Sequence, residues 1–287
     1  MTVSGTHSSI ADLPRGPDGL ATTDDALSQL RDQLPAFLER VVADAGADGF
    51  VVPLDGGVET ALTATFAVDA AGEDRVTGLV MPAFLSHEAV SRNAEAVATS
   101  LGIDHSCLQL QPVLAAFQET IGASSGPADD LVATTNALSR LRMTCAYYVA
   151  NATDALVAGP INRTQYLLGS VAKHGETGAD CLPLAGLYRT ELEALARAVG
   201  IPADLTVETS GSPLHPGESP ATTLEVDSET VDRILRRRID GGVDAATVVD
   251  RTGVEAETVA RLEAWVERTR HKRQRPARPS TGRSFTR

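Results

Sequence analysis

Lysine is nearly absent from this 287-residue chain. Only Lys173 and Lys272 are lysine among 25 basic residues, while Asp and Glu number 38, for a formal net charge of −13. An acidic, lysine-poor surface suits a protein kept soluble at high salt, where screening removes most of the self-repulsion. We read a halophile-like adaptation, which leaves the overall charge silent about partners and makes each lysine worth following. Aromatics are scarce at 4%, and the three cysteines, Cys107, Cys145 and Cys181, show no metal or redox spacing. They are expected as reduced thiols in or near the core. No apolar run approaches the roughly 20 residues that span a bilayer, and no basic-then-apolar signal opens the chain. A soluble, cytoplasmic protein without a membrane partner is expected.

What is present is a regular alternation. Residues 1–22, rich in Ser, Thr, Gly and Pro, read as a loose arm. An amphipathic helix follows from Thr23 or Asp24, with Leu27, Leu30, Leu34 and Leu38 on one face and Asp24 and Asp25 favouring its start. Apolar runs at 50–54, 76–81, 105–110 and 155–158 read as strands. Helical segments at 58–71, 87–101, 112–121, 129–151 and 163–173 lie between and after them. This order predicts an α/β fold, a doubly wound parallel sheet of Rossmann-like type, with ligands at the carboxyl ends of the strands. Further on come helices at 188–199, 227–239, 243–252 and 255–269, a helical C-terminal part. The stretch 206–223 carries three Pro and two Gly residues as breakers and reads as a lid or a disordered loop. Residues 268–287 contain eight basic residues and no acidic one.

The segment Phe50–Thr60 organises the rest. A short apolar run ends in Gly56-Gly57, and an Ala-rich helix begins at once. Glycines there let the backbone approach a ligand, and free N–H groups at the helix start can hold phosphate. The spelling is neither Walker A nor the Rossmann glycine fingerprint. It resembles the pyrophosphate loop of N-type ATP pyrophosphatases, usually Ser-Gly-Gly-x-Asp-Ser, written here Asp55-Gly56-Gly57-Val58-Glu59-Thr60. Four later blocks keep the same order: Ser139-Arg140-Leu141-Arg142-Met143, Lys173 to Asp180, Leu182-Pro183-Leu184-Ala185-Gly186-Leu187, and His271-Lys272-Arg273-Gln274. Together they resemble the NAD⁺ synthetase family, above all its ammonia-dependent branch, from about residue 25 onward.

The resemblance implies an adenine nucleotide alpha-hydrolase-like domain over 23–270 and a basic tail, 271–287, that completes a dinucleotide pocket. It implies a homodimer with active sites near the interface, or a heterodimer with an active synthetase. The family reaction is amidation of deamido-NAD⁺: ATP with Mg²⁺ adenylates the nicotinate carboxylate, and ammonia displaces AMP, so no protein nucleophile is expected. Carried over by position, Arg140 (with Arg142 beside it), Lys173, Asp180, His271 and Lys272 would hold deamido-NAD⁺. Asp55, Gly56, Gly57, Val58, Glu59, Thr60 and Arg189 would face ATP. On that side the pattern departs. Asp55 replaces a Ser, Glu59 replaces the metal-binding Asp, and Gln165 replaces a metal-binding Glu. Pro160 replaces a Thr that contacts ATP, and Arg189 replaces a Lys.

Each residue also has a plainer role. Arg140 and Arg142 could pair with acidic neighbours, Asp180 could cap a turn, and Lys173 could simply end a helix. Two other functions stay open. One is a catalytically impaired paralogue that binds a pyridine dinucleotide without ATP turnover. The other is a DNA-binding helix-turn-helix over Ala245–Arg261 with Gly253 at its turn, against which stand Glu255, Glu257, Glu263 and Glu267, which phosphates would repel.

Overall fold

Thr23 begins the first ordered helix. In the computed structural model, which describes residues 10–83, 88–122, 130–202, 226–277 and 279, its side chain accepts the Ala26 N–H as an N-cap. The capping residue is thus Thr23, and Asp24 and Asp25 fall in the first turn, where the helix dipole favours them. Helix α1 (Asp24–Ala45) buries Leu27, Leu30, Leu34 and Leu38 and stops at Gly46.

The chain then runs β1 (Phe50–Leu54), α2 (Val58–Ala71), β2 (Val76–Val80), α3 (Glu88–Ser100), β3 (Asp104–Cys107), α4 (Gln111–Gly122), α5 (Leu131–Ala152), β4 (Leu156–Val157), α6 (Arg163–Leu168) and α7 (Arg189–Ala198). The C-terminal part holds α8 (Ser228–Ile234), which continues as a π-helical turn over Leu235–Asp240, then α9 (Ala245–Thr252) and α10 (Ala256–Arg268). All strand pairs are parallel, in the order β3-β2-β1-β4. The chain steps outward from β1 to β3 and then returns to place β4 on the other side of β1. The topological switch therefore lies at β1, and the crevice at its carboxyl end is where such sheets bind ligands.

Side-chain alternation along β1 serves both faces of the sheet. Phe50, Val52 and Leu54 join the core shared with α1, α2 and α7, while Val51 joins the core shared with α4 and α5. A third core packs Leu20 and Tyr188 with Val231, Ile234, Leu235, Val248, Val259 and Leu262 of the C-terminal helices.

Several expectations change. Residues 10–22 are not a loose arm: Leu13, Leu20 and Ala21 are buried, and Arg15 pairs with the buried Glu191 at 3.0 Å. β3 is shorter than the run 105–110, and its four residues are exposed at the sheet edge. Cys107 on it is exposed and departs from the expectation, whereas Cys145 is half-buried against a core and Cys181 is buried, its thiol pushed up to about 12 by burial. Helix α6 ends at Leu168 and not at 173, because Gly169 takes φ 66° and closes it. The stretches 123–129 and 206–223 lie outside the described residues. Among the described residues, no helix is long and apolar enough to cross a membrane.

Candidate nucleotide site

Leu54 ends β1, and the next two residues turn the chain into α2. Gly56 has φ 78°, a backbone shape that favours glycine. Gly57 caps α2, and a Cβ on it would stand 3.1 Å from Asp55 Oδ1 and 3.6 Å from Glu59 Oε2. Asp55 Oδ1 accepts the Gly57 N–H at 2.9 Å and the Thr60 hydroxyl at 2.9 Å. Val58 is buried and serves the core.

Glu59, the next acid, faces inward with its side chain 12% exposed. Its Oε1 accepts from the Arg189 guanidinium at 2.8 Å and from Asn162 Nδ2 at 2.9 Å. Burial raises the Glu59 carboxyl above its ordinary range, and Arg189 opposes that shift. Arg189 also donates to Glu193 at 2.9 Å. Gln165 is occupied elsewhere. Its Oε1 accepts the Asn162 N–H at 3.1 Å and its own N–H donates to Asn162 Oδ1 at 2.8 Å, a capping box that starts α6.

These donors do not fit Mg²⁺. A cation would need several oxygens free to coordinate it, whereas Glu59 Oε1 already holds a guanidinium and an amide, leaving Oε2 beside that positive charge, and Gln165 Oε1 is turned into a helix cap. Among the described residues, no group of three or more His, Cys, Asp or Glu side chains is placed to hold a metal ion.

Beside the loop lies a cavity of about 140 Å³ lined by Asp55, Thr60, Ser139, Arg142, Pro160 and Glu176, with Val80, Met81 and Met143 as apolar walls. Arg142 donates to the Met81 carbonyl at 3.1 Å. Burial lowers its pKa, and the nearby Asp55 and Glu176 carboxylates oppose the shift. Ser139 donates to Glu176 Oε1 at 2.5 Å, and the Ala172 N–H donates to Oε2 at 2.8 Å. Glu176 thereby ties the loop after α6 to α5.

Four sequence-predicted residues meet in a second place. Arg140 Nε donates to the Lys173 carbonyl at 3.0 Å, and Lys173 Nζ donates to the His271 carbonyl at 2.9 Å. Lys272 Nζ donates to the Gly169 carbonyl at 2.6 Å. Among the described residues, none of Arg140, Lys173, His271 and Lys272 forms an ion pair. Desolvation lowers the pKa of Lys272; Glu176 opposes that shift and Arg140 adds to it. Asp180 is engaged differently. Its Oδ2 accepts the Val157 N–H at 2.8 Å and its Oδ1 the Tyr147 hydroxyl at 2.9 Å, so it secures the end of β4 against α5.

Three residues escaped the sequence reading. Asn162 is buried and bridges Glu59 to α6; its signal was an Asn three places before Gln165, the spacing of a capping box. Glu176 stood in a quoted block without a role. Asp232 is fully buried and accepts from Thr164 Oγ1 at 2.6 Å and from the Thr190 N–H and hydroxyl at 2.8 and 2.7 Å. Burial pushes its carboxyl up to about 6. An acid set between Val231 and Ile234 on an apolar helix face was the available sign.

The pair α9–α10 does turn at Gly253, with φ 73°. Its apolar side, Val248, Val259, Leu262 and Val266, is buried in the third core, and Glu263 pairs with Arg238 at 2.5 Å. The observed contacts of this hairpin are those of packing.

Comparison with known proteins agrees with the fold and the block order. The model of the NAD synthase family matches residues 30–276. The NH₃-dependent NAD⁺ synthetase of Halobacterium salinarum is 32% identical over 253 residues, covering 88% of this chain and 93% of that protein. That of Methanosarcina mazei is 34% identical over 254 residues, covering 88% and 98%. Among solved structures, the NMN synthetase of Francisella tularensis superposes with a TM-score of 0.73 at 25% identity, covering 88% of this chain and 98% of its own. The NH₃-dependent NAD synthetase of Campylobacter jejuni has the same fold, with a TM-score of 0.73 at 23% identity over 88% of this chain and 99% of its own. On the match of the family model and the extent of these alignments, the chain belongs to the NAD synthase family.

Proposed function

We propose that this chain amidates deamido-NAD⁺ to NAD⁺ in the cytoplasm, using ATP and ammonia that is free or delivered by a partner. The observation that carries the reading is the meeting of Arg140, Lys173, His271 and Lys272. Four basic residues from α5, the loop after α6 and the C-terminal segment share one place, and among the described residues their side chains bond only to backbone carbonyls. A cation held by a carbonyl keeps its full charge for an anionic ligand, and the pyrophosphate bridge of a dinucleotide is such a ligand. Lys173 and Lys272 hold that bridge, Arg140 orients Lys173 through its carbonyl, and the cavity beside Arg142 receives the end to be adenylated. No residue of the chain forms a covalent bond to substrate, because ammonia itself attacks the activated carboxyl.

The proposed partner is a second copy. Val113, Phe117 and Ile121 recur at helical spacing on α4, and Leu131 and Val132 open α5; all five are large apolar or aromatic side chains at least 40% exposed. Such a patch on a soluble protein marks an interaction surface. Phe117→Asp should leave monomers in light scattering under conditions where the unaltered protein is a dimer. An unchanged mass would remove this face from the interface.

The decisive assay incubates the protein in concentrated KCl with deamido-NAD⁺, ATP, Mg²⁺ and ammonia, and measures NAD⁺ and AMP together. Equal formation of both is expected. The deamidated mononucleotide is a parallel acceptor, since the Francisella protein is named for a mononucleotide. Measurable dinucleotide binding with neither product would instead establish the second reading, an impaired paralogue, which the Asp55 contact with the Gly57 N–H favours.

A further inference from the structure

The two positions where ATP's charges would settle already hold charges of the chain itself. A helix start offers free N–H groups and the positive end of a dipole, and both favour an anion. At α2 that anion is the Asp55 carboxylate, bonded to the Gly57 N–H and to Thr60 Oγ1, each at 2.9 Å. A cation near the loop would be drawn to Glu59, and there the Arg189 guanidinium stands at 2.8 Å with both side chains largely buried. Gln165, aligned with the second metal ligand of the family, spends its side chain on capping α6.

We infer that the pyrophosphate loop is self-occupied: Asp55 fills the phosphate's place at the start of α2, and Arg189 fills the cation's place on Glu59. The inference rests on the family reading for the identity of the loop, and on hydrogen bonds within this chain for its occupancy. An incoming phosphate must break the Asp55 contacts and then lie beside a displaced carboxylate. A metal at Glu59 must lie beside a guanidinium bonded to Oε1 of Glu59 and to Glu193, or displace it. ATP entry therefore has to displace internal contacts at the loop, while the basic cluster of Arg140, Lys173, His271 and Lys272 is untouched. Ligand entry at the loop and ligand binding at the cluster become separable events.

The substitutions fit one another. A carboxylate at 55 with a lysine-like free cation at 189 and an unpaired acid at 59 would leave two like charges facing across Gly57, where Asp55 and Glu59 both approach the position of its missing Cβ. Placing Arg189 on Glu59 neutralises one of them, and turning Asp55 onto N–H and O–H donors accommodates the other.

The test is calorimetric titration of inorganic pyrophosphate, with and without Mg²⁺, into the full chain and into Asp55→Ser and Asp55→Asn. Removing the competing charge should tighten pyrophosphate binding by about tenfold or more for Asp55→Ser, from the worth of hydrogen bonds to a charged group. Asp55→Asn retains an acceptor for the Gly57 N–H and should gain less. Equal affinity in all three proteins, or no binding in any of them, overturns the inference, because Asp55 would then not be what keeps phosphate out. Deamido-NAD⁺ is titrated into the same three proteins. Its binding should be retained in all three; failure to bind in all three would count against the proposed function and leave the pyrophosphate result standing.

Discussion

The basic cluster and the Gly56-Gly57 loop lie in one protein and treat charge in opposite ways. At the cluster, Arg140, Lys173 and Lys272 rest on carbonyl oxygens of Lys173, His271 and Gly169, so their positive charge remains available. At the loop, Asp55 is held by two donors and Glu59 by an arginine and an amide. One side has spare charge and the other has spent it. The comparison teaches that a recognisable loop and a receptive loop are different properties. The glycines set the backbone path, and the neighbouring side chains set what that path will accept.

The largest way to break the comparison is to strip the loop of its internal cation. Arg189→Met leaves Glu59 inward-facing and unpaired, which should cost about 3–5 kcal/mol of stability by denaturant unfolding, as when one partner of a buried pair is removed. Adding Glu59→Gln should recover most of the loss. If Arg189→Met is harmless by itself, the ion pair is not what steadies this side.

Asp232 provides the next largest effect. Its folded-state carboxyl is raised to about 6 from 3.8, so the native state holds the proton more tightly than the unfolded chain does. The stabilisation from that proton is complete below about pH 4 and is lost as pH rises through 6. Against Asp232→Asn, the unaltered protein should lose about 3 kcal/mol between pH 4 and pH 7, the size of a shift of roughly two units. A pH-independent difference between the two would exclude the linkage.

On the open side, Lys173→Met should weaken deamido-NAD⁺ binding about tenfold, roughly 1.4 kcal/mol, with little change in unfolding. Loss of stability in place of affinity would reassign Lys173 to structure, as the strut that holds the His271 carbonyl. The smallest effect is expected for Arg270→Ala. That residue pairs with Glu267 at an exposed position, so its removal should change stability by about 0.5 kcal/mol or less.

Much of the scaffold could be read from residue order. Apolar alternation and the Gly56-Gly57 turn located β1 and α2 to the residue, because a short apolar run closed by glycine has few other meanings. Family spacing grouped Lys173 with His271, and the Lys173 ammonium does meet the His271 carbonyl although 98 residues separate them. The departures had local causes. Gly169 ended α6 early through its positive φ, which the periodicity around it does not encode. Leu13, Leu20 and Ala21 were hidden among breakers, so the burial of Leu13 and Ala21 in the first core and of Leu20 against the C-terminal helices was not visible as a period. The departure from the family's loop pattern flagged Asp55 as an anion where a Ser is usual, but the Gly57 and Thr60 donors that accommodate it belong to three-dimensional geometry. Arg189 and Glu59 lie 130 residues apart, and nothing local announces their pairing.

Gly169 has one more consequence, and it concerns time. A Cβ on it would stand 2.4 Å from Cβ of Thr269, so the C-terminal segment seats on a bare backbone, and Lys272 then takes the Gly169 carbonyl. During translation the sheet and the loop emerge first, while that seat waits about a hundred residues for its occupant. A nascent chain stalled between Gly175 and Thr269 would carry the pyrophosphate loop but only half of the basic cluster. The basic cluster proposed to hold the dinucleotide is thus completed late in synthesis, and a ribosome-bound intermediate carries it only in part.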